Sequence, residues 1–340
     1  MVVGHSYALG GFADGTDPLY RFTRTQESFG GFAVAAFFII SGFLITRSWT
    51  SHPTVGRFLW HRVLRIFPAF WICLLVTAFV FAPFAWRIEH GRFSGFFDGA
   101  GGSALDYVWR NAGLVINQFE IDGLLAGTPH PGAWNGSLWT LAYEFGCYLV
   151  VAVLGAIGIL ARHRRLVVAM TVLAYVVTIV GLVDASLPGR VVPVLADPWI
   201  ARFLFLFGMG AVFALFADRI EMSWRIALLA GLLVVATMWK GGWIAVGYPA
   251  LAYLLIWLAA RLPFTTFDRP GDFSYGTYIY AFPIQMLLAD LAFQRHGLVA
   301  FALASLGLTT VAAVISWHLV EKHALRLKKW TPRPLRRRER

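Results

Sequence analysis

Apolar residues in this chain come in long, nearly unbroken runs. They do not follow the two-residue alternation of a half-buried strand or the one-sided stripe of a soluble helix. Nine runs can be traced, near Ala33–Trp49, Phe67–Trp86, Ser137–Ala161, Leu166–Val183, Trp199–Ala217, Arg225–Trp239, Trp243–Ala260, Tyr275–Phe293 and Leu298–Val320. A helix needs about 20 apolar residues to cross ~30 Å of hydrocarbon, and only Arg225–Trp239 is clearly short of that. Lipid offers no partner to a bare backbone N–H or C=O, so runs of this length predict helices. The expected fold is all-α, a polytopic bundle of about nine spans. No internal repeat is evident, which weighs against the inverted-repeat transporter folds.

Polar positions matter most where they interrupt these runs. Ser137, Thr140, Glu144 and Tyr148 are three or four apart, so a helix through them carries one narrow polar stripe on an otherwise apolar cylinder. A carboxylate at bilayer depth costs a few kcal/mol, roughly 2.5–3.5 for Asp at the centre, and marks a functional candidate by default. The plainer reading of Glu144 is a packing group satisfied by a neighbouring span. Ser41-Gly42 breaks the bulky run Phe37 to Thr46, and small residues there serve either as a notch for close helix approach or as part of a site. Upstream of Phe67, Arg62 and Arg65 share a helical face at a membrane boundary, and Pro68 is expected in the first turn of the next span. That pair suits either lipid phosphates or an anionic ligand from the same side. Pro283 is expected inside its helix, and residues 87–136 form one long loop whose Trp109, Asn111, Trp134 and Asn135 would suit a carbohydrate-facing lid.

Composition narrows the class further. The 340 residues are 58% hydrophobic and 14% charged with a mean hydropathy of +0.65, which excludes an ordinary soluble domain. The net charge of +11 is distributed by loop, because alternate connections and the stretch after Val320 hold 20 of the 29 Lys and Arg. By the positive-inside rule these lie in the cytoplasm, as does the carboxy terminus. Residues 1–325 then form one membrane domain, and 326–340 a basic tail lying against anionic head groups, with no nucleic acid implied. Cys73 and Cys147 both fall inside runs and are expected to pack as small hydrophobes, with no disulfide framework and no metal cluster.

Six short motifs stand in order: Gly4-His5, the Ser41-Gly42-Phe43-Leu44-Ile45 segment, Arg62 to Pro68, Ser137-Leu138-Trp139-Thr140-Leu141 followed by Glu144, Ser274-Tyr275-Gly276-Thr277-Tyr278, and Val320-Glu321-Lys322. In that order and on this span count, the chain resembles the acyltransferase-3 family of membrane O-acyltransferases. The resemblance implies a ten-helix enzyme of the bacterial inner membrane. Such an enzyme moves an acyl group, usually acetyl, from cytosolic acyl-CoA to a hydroxyl of a cell-surface or exported glycan or glycoside. Two departures accompany it. Members carry an Arg eleven positions before the His that matches His5, which here falls before Met1, so the reading frame is expected to open upstream. Ala281 stands where many relatives have His.

With the resemblance, His5 becomes the expected general base and Glu144 the carboxylate that orients and supports it. Arg62 and Arg65 are expected to receive the phosphates of acyl-CoA, while Ser41, Ser137, Trp139, Thr140 and Tyr148 line the site. The implied partners are acyl-CoA, a glycan or glycoside acceptor and membrane lipid, with no bound cofactor and no metal. Direct transfer is preferred to an acyl-enzyme on Ser41. Two rival classes stand beside this one: a transporter or flippase for a lipid-linked glycan, and an inactive membrane scaffold. Acceptor identity, acyl length and oligomeric state are not legible.

Overall fold

A computed structural model describes residues 1–262 and 271–329, apart from the side chains of residues 99–101. Every one of the nine apolar runs forms a helix. They are α2 (Phe29–Ser51), α3 (Val55–His90), α5 (Thr140–Ala156), α6 (Arg164–Val183), α7 (Pro198–Leu215), α8 (Trp224–Lys240), α9 (Trp243–Arg261), α10 (Ser274–Asp290) and α11 (Leu298–Lys329). Besides some single-turn helices, two longer ones precede or interrupt these: α1 (Val2–Leu9) and, inside the long loop, α4 (Gly101–Asn111). No strand occurs among the described residues. Six of the helices are long and apolar enough to span a bilayer, and α5, α8 and α10 are 17 residues each. Leu173, Leu232 and Leu303 stand more than half exposed on these helices, as side chains that meet lipid would. The chain is a multi-pass membrane protein. Of the basic tail, residues 330–340 lie outside the described residues, as does Arg269 among the loop cations.

The helix boundaries follow local chemistry. Ser28 accepts a hydrogen bond from Gly31 N (3.0 Å) at the start of α2, Asp197 accepts from Trp199 N (2.9 Å) beside Pro198 at the start of α7, and Ser223 caps α8. Gly158, at φ 81°, ends the α5 segment, and a short turn Ile159–Arg162 precedes α6. Two boundaries differ from expectation. Helix α3 begins at Val55, so Pro68 lies in its interior and the cationic stretch Arg57 to Arg65 is the first part of the same helix. Ser137 precedes α5, because Asn135 Oδ1 accepts from Ser137 N (3.3 Å) and holds that segment in a turn. The polar stripe on α5 is therefore Thr140, Glu144 and Tyr148.

The chain divides into two compact units. The first holds Met1–Asp17, Trp60–Ala142 and Thr265–Arg340, and the second holds Pro18–Leu59 and Tyr143–Phe264. In the second unit, α2 and α7 touch backbone to backbone. A Cβ on Gly42 would lie 2.0 Å from the Phe207 carbonyl oxygen, and one on Gly210 1.9 Å from that of Ile39. Ser41-Gly42 is thus a packing notch, at least at Gly42. Phe38 stacks on Phe203 at 4.1 Å beside the crossing. Glu27, buried just before α2, accepts from Trp243 Nε1 and Tyr248 OH (both 2.8 Å) and ties α9 to that helix. Burial pushes its carboxyl above the ordinary range, against the pull of those donors.

In the first unit, α10 is the hub. Its Gly276 lets Ala313 of α11 approach to 2.8 Å from where a Cβ would be, and Tyr275 OH donates to the Ile66 carbonyl of α3 (2.9 Å). Pro283 has no N–H, so the carbonyl of Ile279, four residues earlier, lacks its helical donor. Asn135 Nδ2 (2.7 Å) and Cys73 Sγ (3.3 Å) donate to it instead. Asn135 and Cys73 are 1% and 0% exposed, so this is a dry substitution of one hydrogen bond for another.

Candidate active site

His5 is positioned by α10. Gln285, fully buried, donates from Nε2 to the Val2 carbonyl (3.0 Å) and to Ser6 Oγ (2.9 Å), and Ser6 Oγ donates in turn to Val2 O (3.0 Å). These bonds fix the α1 turn that carries the imidazole. The ring lies edge-on to Phe282 at 5.5 Å, with Nδ1 buried and not hydrogen-bonded to any described group. His130 reaches the same Phe282 ring at 6.2 Å. It comes from the long loop, where no periodicity singles out a residue, so no sequence pattern marks it.

The SLWT segment sits beside this group in the same unit. Tyr278 of α10 donates to the Ser137 carbonyl and is hydrogen-bonded to Thr140 Oγ1, so the YGTY motif anchors the start of α5. Gly136 is packed so closely on Phe282 that a Cβ would lie 2.8 Å from the ring. Ser137 Oγ is buried without a hydrogen-bond partner among the described residues, and Trp139 is half-buried. The first unit thus brings together His5, His130, Phe282 and the segment Gly136 to Ser137, with Thr140 tied to α10 through Tyr278.

The second unit holds Glu144, Tyr148 and Ser41. Glu144 is 7% exposed, and Tyr148 OH, one turn further along α5, donates to its carboxylate. A buried carboxylate with a tyrosine donor has part of its hydrogen-bonding capacity satisfied within its own helix. Cys147 lies beside it as a buried free thiol, and Ser41 is buried on α2.

The basic pair on α3 is less open than its charge implies. Arg65 pairs with Asp272 (2.6 Å) and with Glu321 (3.3 Å), lies 5.6 Å from the Tyr275 ring centre, and Glu321 accepts a further bond from Ser316 Oγ (3.0 Å). Asp272 turns its other oxygen to Ser274 N (3.2 Å) at the start of α10. The Glu321 of the Val-Glu-Lys motif is therefore an ion-pair partner of Arg65. Arg62 lies one turn earlier on the same helix and is half-buried. Among the described residues no group of three or more metal-ligating side chains is found.

A family model described as an acyltransferase domain matches residues 1–318. The chain belongs to the acyltransferase-3 family. Two curated proteins are similar over most of their length. An O-acetyl transferase of Shigella phage Sf6 is 29% identical over 339 residues, covering 96% of this chain and 92% of that one. Nodulation protein 10 of Rhizobium leguminosarum bv. viciae is 27% identical over 331 residues, covering 92% and 87%. No solved structure matches. This acyltransferase is thus an enzyme of acyl transfer, in keeping with the O-acyltransferase expected from its motifs.

Proposed function

We propose that this acyltransferase moves an acetyl group from acyl-CoA in the cytosol to a hydroxyl of a glycan or glycoside on the far side of the bacterial inner membrane. The observation that carries the reading is the family match over residues 1–318, joined by the similarity, over 96% of this chain, to a protein named O-acetyl transferase. Acyl transfer needs a base for the acceptor proton. His5, with an unbonded Nδ1 and a turn pinned by Gln285, suits that role. The acceptor O–H gives its proton to the imidazole as its oxygen attacks the thioester carbonyl. The carbon–sulfur bond then breaks, and the departing thiolate takes the proton back as coenzyme A.

Glu144 is proposed to support the imidazolium, in the role a carboxylate plays beside a catalytic histidine. Ser41, Ser137, Trp139, Thr140 and Tyr148 are proposed to line the path of the acyl group. Arg62 and Arg65 are proposed to receive the phosphates of the donor. Phosphate oxygens would then compete with Asp272 and Glu321 for the Arg65 guanidinium.

The test uses the purified full-length protein with labelled acetyl-CoA and a crude glycan acceptor fraction. His5→Ala and Glu144→Ala should each lower incorporation by about 10²–10⁴-fold, the usual worth of a general base. Arg62→Ala with Arg65→Ala should raise the apparent KM for acetyl-CoA. Full incorporation in His5→Ala would remove the proposed base, and an unchanged KM would remove the arginines from the donor site.

A further inference from the structure

The long loop holds a cleft of about 690 Å³ that the chemistry above does not use. Its walls include Ser103, Asp106 and Arg110 of α4 and the segment Asn117 to Gly123. The volume lies within the roughly 300–1,000 Å³ of small-molecule sites. The walls are held by internal hydrogen bonds. Buried Asn111 accepts from Asn117 N (2.9 Å) and Gln118 N (3.1 Å), and donates to the Gln118 carbonyl (2.7 Å). Asp122 N donates to Ser103 Oγ (3.1 Å).

The balance of donors and acceptors on these walls defines what fits. Asn117 Nδ2 already donates to the Arg110 and Val115 carbonyls, and Gln118 Nε2 to the carbonyls of Ser103 and Glu120. Arg110, the one cation on the wall, is paired with Asp106 at 3.4 Å. The lining residues are otherwise rich in acceptors: the carboxylates of Glu120 and Asp122, with the amide oxygens of Asn117 and Gln118. Phe119 adds an aromatic face, 39% exposed. Such walls accept hydrogen bonds from many hydroxyls and repel phosphate or carboxylate groups. No metal-ligating trio is present among the described residues to turn the carboxylates toward a cation.

We infer that this cleft is a docking site for the acceptor, and that it takes an uncharged, hydroxyl-rich oligosaccharide in preference to one bearing uronate or phosphate. The inference rests on the reading of the chain as a glycan O-acyltransferase. It adds where the glycan is held and which glycans are refused. Catalytic residues are not involved, so the cleft governs acceptor affinity and leaves the transfer step intact.

The experiment presents the purified full-length protein to a panel of short oligosaccharides, uncharged and anionic members matched in length, and reads both capture and labelled acetyl transfer. Wild type should capture uncharged members only. Glu120→Lys should weaken that capture by about ten- to a hundredfold, as loss of a hydrogen bond to a charged group does. The same variant should raise the acceptor KM while kcat stays within about twofold of wild type, a smaller change than the site's hydrogen bonds account for. Asp122→Asn keeps a residue tolerant of the φ of 50° at that position, removes the second carboxylate, and should weaken capture in the same direction with Tm unchanged. Capture of anionic members, capture of none, or an acceptor KM unmoved by Glu120→Lys would overturn the cleft assignment. Capture of uncharged sugars with no transfer to any acceptor would leave the cleft standing and remove the acyl-transfer reading.

Discussion

The carbonyl of Ile279 shows how one missing hydrogen in the sequence is answered elsewhere. Pro283 leaves it without a helical donor, and Asn135, 144 residues earlier, supplies one at 2.7 Å. Replacing Asn135 by Leu keeps the branched shape and removes the donor, together with the Oδ1 that accepts from Ser137 N, so a buried acceptor loses its main partner. That should cost about 1–3 kcal/mol, read as a lower Tm in detergent. Pro283→Ala restores an N–H to the helix, so the same Asn135→Leu change should cost less in that background. Equal losses in both backgrounds would dissociate the two residues. This partnership is not legible in the sequence, because Asn135 in a loop and Pro283 in a span look unrelated until α10 is folded against the segment before α5. His130 escapes notice for the same reason. Glu144 is legible, because an ionisable group inside an apolar run departs from its surroundings whatever the tertiary structure.

At the scale of elements, α2 and α7 meet through glycine on both sides. Gly42→Ala and Gly210→Ala should each destabilise the second unit by about 1–3 kcal/mol through overpacking, since a Cβ meets backbone and not a movable side chain. Thermal melting in detergent checks this, with Gly231→Ala as the control, a helical glycine with nothing within 4 Å. A control as damaging as the two test variants would sink the argument. The helices themselves are legible, because lipid leaves an apolar run of that length few other conformations. The start of α3 is not. Pro68 signals a helix beginning, yet this helix runs through it, and the positively charged stretch Arg57 to Arg65 becomes the first part of the same helix. The ion pairs of Arg65 with Asp272 and Glu321 bring together residues more than 200 positions apart, and no local pattern anticipates them.

For the molecule as a whole, the sorting of cations by loop predicts which ends face the cytosol. Cys73 and Cys147 are both buried, so a single added cysteine reports without background from the native thiols. A membrane-impermeant maleimide applied to intact cells should label Ala126→Cys in the long loop. His52→Cys, exposed after α2, should be labelled only once the membrane is opened. The reverse pattern would invert the proposed orientation, and with it the side from which the donor enters.

The glycine contact between α2 and α7 carries a consequence for motion. Two helices locked at backbone distance have no layer of side chains to slide over, so they travel as a single stiff lever in any cycle the enzyme performs. Hinges then belong at looser places, such as the Gly241-Gly242 link between α8 and α9, where both glycines hold a positive φ and a Cβ on either would meet nothing within 4 Å.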